Sequence, residues 1–165
     1  MAYITIIAAI GKNRELGKNN DLLWHISEDL KNFKKVTLNS YIVMGRKTLE
    51  SLPGLLPKRT HLVLTSANLE ENEKLKCFKS MDDLLDFLNG IDEEVFIIGG
   101  ASIYKEFIDI ADSLLLTEID EEKDADVYFP EFDKSKYKIQ SIENFTCKDL
   151  KYKRILYKKK QGRIK

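Results

Sequence analysis

The spacing of apolar residues along the chain predicts strands that alternate with helices. Short apolar runs, typical of buried strands, occupy residues 3–10, 41–44, 61–65, 95–98 and 113–119. Segments with the spacing typical of helices that bury one face occupy residues 27–36, 47–52, 81–89 and 102–110. Ser27 and Ser80 are the predicted N-caps of the first and third of these helices, and Gly90 is the predicted residue that ends the third.

The C-terminal part of the pattern differs, because strand-like segments at residues 137–145 and 152–157 follow one another without a helix between them. They predict a closing antiparallel pair. The whole pattern predicts an α/β fold: one domain over residues 1–165, with a mixed, mostly parallel central sheet of about eight strands and helices on both faces. Residues 11–21 are polar and show no period, so they are predicted to form a long loop.

Asp29 breaks the pattern of the first predicted helix. The apolar stripe of that helix consists of Ile26, Leu30, Phe33, Val36 and Thr37, and Asp29 falls inside it. An ionised carboxylate among apolar side chains is costly unless partners compensate it. Two interpretations follow. Asp29 is either paired inside the protein, with a side chain or a backbone N–H, or it faces a cleft and holds a polar ligand, with Trp24 as part of the cleft wall.

Composition and charge exclude several classes of function. Lys+Arg and Asp+Glu both number 27, so no global field points to nucleic acid or to an anionic membrane. The apolar run at residues 3–10 is too short to span a bilayer and lacks a basic flank, and the lysine-rich end is predicted to be a solvated tail. Cys77 and Cys147 lack metal-binding or redox spacing and are predicted to stay reduced in a cytoplasmic chain. His25 and His61 have no second ligand nearby in sequence, so no metal site is predicted.

Three turns after predicted strands suit the binding of phosphate. They are Gly45-Arg46-Lys47-Thr48, Thr65-Ser66 and Gly99-Gly100-Ala101-Ser102. Backbone N–H groups at the start of a helix, together with cations and hydroxyls, bind anions. Because ligands of open α/β sheets lie beyond the carboxyl ends of the strands, the three turns together predict a dinucleotide site. The fingerprint G-x-G-x-x-G is absent, and Arg46 suits a 2′-phosphate, which favours NADP over NAD.

These motifs, in this order and spacing, resemble the bacterial dihydrofolate reductases over nearly the whole chain. The resemblance rests on residues 7–9, 22–24, Asp29-Leu30 with Phe33, 43–48, 50–51, 56–59, 64–66, 98–104, Leu116-Thr117, and Asp126 before Phe129-Pro130. It implies reduction of 7,8-dihydrofolate to tetrahydrofolate with NADPH, in support of one-carbon metabolism and of thymidylate and purine synthesis. It also implies that antifolates bind. Nothing in the sequence demands more than a monomer.

The resemblance also implies roles for individual residues. Asp29 would bind the pterin, supported by Thr117, with Trp24 holding a water and Leu22 forming part of the apolar walls. The other residues implied at the substrate are Ile7, Ala8, Leu30, Phe33, Leu52, Leu56, Arg59 and Ile98, with Arg59 on the glutamate α-carboxylate. Those implied at the cofactor are Ala9, Ile10, Leu16, Gly17, Gly45, Arg46, Lys47, Thr48, Leu64, Thr65, Ser66, Lys79, Ile98, Gly99, Gly100, Ala101, Ser102, Ile103 and Tyr104. The Gly99–Gly100 peptide is expected to be cis.

Two positions depart from the family pattern. Leu23 stands where the family usually has proline, and Ala125 stands where many members have glycine. Both lie in loops, so they bear on loop dynamics more than on chemistry. Two other functions remain open at this point. One is a reductase of the same fold that acts on a pyrimidine ribosyl-phosphate, and the other is a nucleotide-binding module without activity.

Overall fold

Strands and helices alternate along most of the chain, as predicted. The structure is a computed structural model that describes residues 1–19 and 21–160, so part of the predicted basic tail, residues 161–165, lies outside it. The strands are β1 (Tyr3–Ile10), β2 (Glu15–Lys18), β3 (Asp21–Leu22), β4 (Tyr41–Gly45), β5 (Thr60–Leu64), β6 (Leu75–Phe78), β7 (Glu94–Gly99), β8 (Ser113–Ile119), β9 (Val127–Tyr128), β10 (Tyr137–Cys147) and β11 (Leu150–Lys159). The helices are α1 (Ser27–Val36), α2 (Arg46–Ser51), α3 (Met81–Asn89) and α4 (Ala101–Phe107), with a 3₁₀ turn at Lys134–Lys136.

An eight-stranded sheet in the order β10-β11-β8-β1-β7-β4-β5-β6 forms the centre of the molecule. The strands from β8 to β6 pair in parallel, whereas β11 pairs antiparallel with both β8 and β10. The predicted mixed sheet with a closing antiparallel pair is therefore confirmed. Strand β6 was not predicted, because its four residues, Leu-Lys-Cys-Phe, are too few to show a period.

The prediction of a structureless loop over residues 11–21 is wrong. A second sheet of three strands, in the order β3-β2-β9, takes in residues 15–18 and the end of this segment. Strand β2 pairs antiparallel with β9, more than a hundred residues away, and Leu16 of β2 is buried in the main core. The strand pairs locally with β3 and on its other side with this distant partner, about which local periodicity carries no information.

Alternation along the strands builds one apolar layer on each face of the central sheet. Val43, Leu62 and Ile97 face a layer that contains Leu84 of α3 and Phe107 of α4. Their neighbours Ile42, Met44, Val63 and Phe96 face the opposite layer, which Val36 of α1 and Leu49 of α2 complete. Helices thus cover both faces, as predicted, and none in the described part of the chain is long and apolar enough to cross a membrane.

The two predicted serine caps have different outcomes. The Ser80 hydroxyl accepts a hydrogen bond from the Asp83 N–H at 3.1 Å, which confirms it as the cap of α3. Ser27 is instead the first residue of α1, because the Leu30 N–H already bonds to the Ile26 carbonyl at 3.0 Å. Ile26 therefore occupies the cap position without a side-chain bond. Gly90 ends α3, as predicted, and is its C-cap residue in the right-handed helical region, with a φ of −89°.

His61 of β5 is a fully buried polar side chain with both ring nitrogens satisfied. Its Nε2 accepts the Leu56 N–H at 3.0 Å, and its Nδ1 lies 3.0 Å from the Lys74 carbonyl. Because Nε2 accepts, the ring is neutral and Nδ1 carries the proton. Burial lowers the pKa of His61 below its ordinary value of 6.5, and the charges of Arg59 and Lys74 add to this against the opposing backbone hydrogen bonds.

We expect Ser80→Ala to destabilise the protein by about 1 kcal/mol, because the Asp83 N–H loses its acceptor. Ser27→Ala is the matched control and should change the free energy of unfolding by less than about 0.5 kcal/mol, since Ser27 caps nothing. Urea unfolding of both variants measures this. Equal losses for the two serines would contradict the cap assignment.

We expect His61 to make the protein less stable in mild acid. Because the pKa of His61 is lower in the folded chain than in the unfolded chain, the unfolded chain binds a proton first. The stabilisation by neutral His61 is therefore complete above about pH 6.5 and is lost as the pH falls through the unfolded and then the folded value. His61→Gln, which does not titrate there, should lose less stability than the wild type between about pH 7.5 and about pH 5.5.

The other histidine of the chain supplies the control for this measurement. His25 is exposed, so His25→Gln removes a surface histidine and leaves both hydrogen bonds of His61 intact. It should not reproduce the effect of His61→Gln. A His61→Gln variant whose urea midpoints follow the wild-type pH dependence would show that His61 does not carry the effect.

Candidate active site

Most of the predicted site residues lie at one edge of the central sheet, where the parallel strands end. The register places Ala9 of β1 beside Thr117 of β8, and Gly45 of β4 beside Leu64 of β5. Met44 of β4 lies beside Gly99 of β7. Because the carboxyl ends of parallel strands meet at the same edge, this is where an open α/β sheet binds its ligands.

Asp29 on α1 is held to this edge by two donors. Its Oδ1 accepts the Thr117 hydroxyl at 2.6 Å and Nη2 of Arg154 at 3.0 Å. Oδ2 has no hydrogen-bond donor among the described residues, and the side chain keeps 22% of its surface exposed. One oxygen of Asp29 is thus paired inside the protein, as the first interpretation predicted, and the other has the free acceptor capacity that the second interpretation requires.

Arg154 is a residue of this site that sequence reasoning missed. It lies directly across from Thr117 in the β8–β11 pairing, and its side chain is only 9% exposed. Its guanidinium stacks on the Phe145 ring with its central carbon 4.7 Å from the ring centroid. Glu143 approaches to 4.0 Å, while Nε of Arg154 has no partner among the described residues. One feature of the sequence could have indicated this. Arg154 is two residues from Tyr152 on a predicted strand, so the two side chains share a face, and an aromatic residue such as Tyr152 is expected to be buried.

The Trp24 side chain is buried, and its polar atom is already used. The single N–H of the indole donates to Glu121 at 3.0 Å, and Lys123 lies over the ring at 5.3 Å while donating to the Leu23 carbonyl at 2.9 Å. An indole has one donor, so in this geometry Trp24 cannot also hold the water expected beside Asp29. Leu22, predicted to be part of the apolar walls, is 61% exposed on β3.

The predicted apolar walls are only partly assembled. Ile7, Leu52, Leu56 and Ile98 pack on the same core layer as Met44. Phe33 is half-buried, and Leu30 on α1 is 53% exposed. Leu30 and Lys34 share one helix face, and Lys34 lines a cavity of about 380 Å³ together with residues 53–57 and Arg59. An apolar side chain exposed at the rim of a cavity is typical of a ligand groove.

Arg59 is buried at the end of this cavity with part of its fork engaged. Its Nε donates to the Thr37 hydroxyl at 3.1 Å, its Nη1 to the Pro57 carbonyl at 2.6 Å, and its Nη2 to the Lys34 carbonyl. A guanidinium has five N–H donors, so each Nη keeps one N–H without a partner among the described residues. Arg59 is therefore oriented by the protein and still able to bind a carboxylate.

The glycine turns after β4 and β7 lie against each other. A Cβ on Gly45 would meet Ile103 at 3.3 Å, and one on Gly100 would lie 3.8 Å from the Thr48 hydroxyl. The Gly99–Gly100 peptide is cis, as expected. Tyr104 shares its hydroxyl hydrogen between the carbonyls of Ile7 and Ile98, at 2.8 and 2.9 Å, so these two carbonyls are neighbours. Burial raises the pKa of Tyr104 and keeps it protonated.

The remaining predicted cofactor residues form a more exposed group beyond β4, β5 and β6. Thr65 and Lys79 directly follow strands that pair side by side, and the Thr65 hydroxyl accepts the Ala67 N–H at 3.1 Å. Arg46 is exposed, and its Nε donates to Glu50 at 2.5 Å, a contact that raises the pKa of Arg46. Four of the predicted cofactor residues lie outside this exposed group: Ile10, Leu16, Gly17 and Ala101. Because the Leu16 side chain is buried in the core, only its backbone could contact a ligand.

A larger groove of about 800 Å³ lies between the ends of β1, β8 and the β10–β11 hairpin. Of the predicted site residues that the structure describes, it touches Ile10 alone. Part of its charged lining is paired internally, with Lys12 3.2 Å from Asp120 and Arg14 3.1 Å from Glu131. Its other lysines, Lys134, Lys151 and Lys153, form no ion pair among the described residues. Within residues 1–19 and 21–160, no group of three His, Cys, Asp or Glu side chains could hold a metal ion.

Comparisons with known proteins agree with this geometry. The family model described as dihydrofolate reductase matches residues 3–159. The chain is 44% identical to the dihydrofolate reductase of Bacillus subtilis (strain 168) over 163 residues, which cover 96% of each chain. It is 37% identical to that of Haemophilus influenzae over 139 residues, covering 84% of this chain and 86% of the other.

A solved structure is also similar over most of both chains. It is the dihydrofolate reductase from Enterococcus faecalis complexed with NADP(H) and RAB-propyl, with a TM-score of 0.84, 29% identity and 96% coverage of each chain. Sequence, fold and the arrangement of the sheet edge thus agree, and the chain belongs to the dihydrofolate reductase family of NADP-dependent oxidoreductases.

Proposed function

We propose that the protein reduces 7,8-dihydrofolate to 5,6,7,8-tetrahydrofolate with NADPH, with hydride delivered to carbon 6 and a proton to nitrogen 5. The product would support one-carbon metabolism and the synthesis of thymidylate and purines. The observation that carries the proposal is Asp29: a carboxylate at the ligand-binding edge with one oxygen fixed by Thr117 and Arg154 and the other open.

Asp29 and Arg59 would hold the two ends of the substrate. The open Oδ2 of Asp29 accepts N–H groups, as the 2-amino group and adjacent ring nitrogen of a pterin require. The two remaining N–H groups of Arg59 match a carboxylate, and the cavity of about 380 Å³ leads to them. The hydrogen bond from the Leu56 N–H to His61 fixes the wall of that cavity, so the tail of the substrate would meet a rigid surface.

The turns after β4, β5 and β7 fit a dinucleotide with separated phosphates. Because Gly45 and Gly100 have no Cβ, the backbone leaves space for a ligand beside Ile103 and the Thr48 hydroxyl. Arg46, Thr65, Ser66 and Lys79 supply exposed cations and hydroxyls at the outer end, where a 2′-phosphate would lie. NADPH, when bound, supplies the hydride. The chain orients the two rings, with the neighbouring carbonyls of Ile7 and Ile98 as acceptors for a carboxamide.

Protonation of the substrate would depend on Asp29 without direct transfer from it. Asp29 is the ionisable side chain that would touch the pterin, where it orients and polarises the ring while water carries the proton to nitrogen 5. Contacts of Trp24, Glu121 and Lys123 hold the segment before α1 against the segment before β9. This arrangement would limit the access of water to the reacting rings.

The remaining features of the proposal concern the whole protein. We propose that residues 1–165 act as one domain and as a monomer in the cytoplasm, and that antifolates occupy the Asp29 cleft. The family match over residues 3–159 supports the first point, and the free thiols of Cys77 and Cys147 agree with a reducing compartment.

We expect Asp29→Asn to reduce kcat/KM for dihydrofolate by roughly two orders of magnitude, because a neutral amide cannot replace a charge-assisted acceptor worth about 2–4 kcal/mol in the transition state. The decrease of NADPH absorbance measures this. Asp86→Asn, an exposed change on α3, is the control. Normal turnover by a folded Asp29→Asn variant would refute the proposed role, and NADPH binding without turnover by the wild type would indicate a module that only binds nucleotides.

We expect Arg46→Ala to weaken the binding of NADPH about tenfold and that of NADH little, because only NADPH carries the 2′-phosphate. The effect should shrink as the salt concentration rises, since Arg46 is exposed. Glu50→Gln is a sharp control: it frees the Arg46 fork from its present partner, so it should leave NADPH binding intact or strengthen it. Equal losses for both cofactors in Arg46→Ala would move the source of selectivity to Thr65, Ser66 or Lys79.

A further inference from the structure

We propose that Arg154 determines specificity at the Asp29 cleft: its charge disfavours ligands that carry a positive charge on the ring facing Asp29, relative to ligands whose ring is neutral. The inference rests on the proposed function, because it requires that the ring of the ligand binds at Asp29. It adds a residue outside the predicted site and a rule for which ligands the site accepts.

The geometry fixes Arg154 in place beside the carboxylate. The guanidinium donates to Asp29 Oδ1 at 3.0 Å, packs against the Phe145 ring at 4.7 Å, and is 9% exposed. Its backbone is part of β11 and pairs with Thr117, which binds the same oxygen. A side chain so enclosed cannot swing into bulk water when a ligand arrives. The ligand must therefore bind next to the guanidinium and use Oδ2.

The charge of this pair decides what the cleft prefers. A lone carboxylate would attract a cationic ring strongly, whereas a carboxylate paired with a guanidinium is nearly neutral as a unit. Glu143 lies 4.0 Å from Arg154 but is 61% exposed, so solvent screens it and it compensates Arg154 only weakly. The unpaired Nε keeps the positive charge of Arg154 incompletely satisfied among the described residues.

Two ring chemistries of similar shape differ in charge. The 2-amino-4-oxo ring of a dihydropterin is neutral at neutral pH. A 2,4-diaminopyrimidine is a stronger base, and it is cationic once its ring nitrogen takes up a proton. The ratio of the two affinities therefore reports the electrostatic contribution of Arg154, while contributions from shape and apolar contact affect both.

The test compares Arg154→Met, which keeps the length of the side chain and removes its charge, with Arg154→Lys, which keeps the charge. Quenching of Trp24, the single tryptophan of the chain, reports the binding of dihydrofolate and of 2,4-diamino-5-benzylpyrimidine. In Arg154→Met the diaminopyrimidine should bind about tenfold more tightly below its ring pKa, with dihydrofolate changed less than about threefold. The gain should vanish at a pH where the ligand is neutral, and Arg154→Lys should keep the wild-type ratio.

Glu143→Gln is the matched control and should change the ratio of affinities by less than about twofold. Equal changes for both ligands in Arg154→Met would overturn the inference, because they would mean that Arg154 only holds Asp29 in position. An unchanged ratio would overturn it as well.

A second uncharged variant, Arg154→Gln, covers the case in which Arg154→Met does not fold. The ultraviolet difference spectrum of the bound diaminopyrimidine gives its protonation between about pH 6 and about pH 9, and its ring pKa should rise less on binding to the wild type than on binding to Arg154→Gln. An equal rise in the two proteins would overturn the inference. Asp29→Asn separates this inference from the proposed function. If Asp29→Asn binds dihydrofolate normally, the proposed binding site is wrong. If Asp29→Asn loses dihydrofolate binding, the site stands, and the Arg154 variants test the role of Arg154 alone.

Discussion

Every buried strand must satisfy its backbone N–H and C=O groups through its neighbours, and this requirement places β1 in register with β7 on one side and β8 on the other. Parallel pairing then makes the carboxyl ends of the strands coincide. Ala9 comes to lie beside Thr117, and Gly99 beside Met44. The turns that follow these strands are far apart in the sequence, and they become one continuous surface only because the hydrogen-bond register aligns them.

The carboxylate of Asp29 is tolerated at this surface because the sheet supplies its partners. Strand β8 contributes Thr117 and the adjacent β11 contributes Arg154, and both donate to the same oxygen. A buried charge needs such partners. Because both donors bind Oδ1, they fix the orientation of the carboxylate and leave Oδ2 without a donor among the described residues. If Asp29 binds the substrate as proposed, stability and ligand recognition depend on the same contact. The antiparallel pair that closes the sheet is thus part of the site, in addition to covering an edge.

The positions at which the chain departs from the family pattern lie in segments that contact each other. The Leu23 carbonyl accepts Lys123, and the Ala125 carbonyl accepts the Tyr128 hydroxyl at 3.3 Å. Asp126 accepts the Asn19 N–H at 3.0 Å and donates its own N–H to the Gly17 carbonyl. Because the β2–β9 pairing joins these segments, a change in the backbone at either position acts on both. The small sheet is therefore the element that couples the two substituted segments.

The sequence by itself determined the elements whose cause is local. Apolar runs defined β1, β7 and β8, the Ser80 hydroxyl defined the start of α3, and motif order identified Asp29, Thr117 and the glycine turns. Only the tertiary structure decided what depends on partners distant along the chain. The strand at Glu15–Lys18 exists through β9, Arg154 joins the site through its pairing with Thr117, and the Trp24 N–H is directed to Glu121. The physical reason is the same in each case: periodicity reports which face of an element is apolar, whereas hydrogen bonds and ion pairs between elements depend on a register that no single segment encodes.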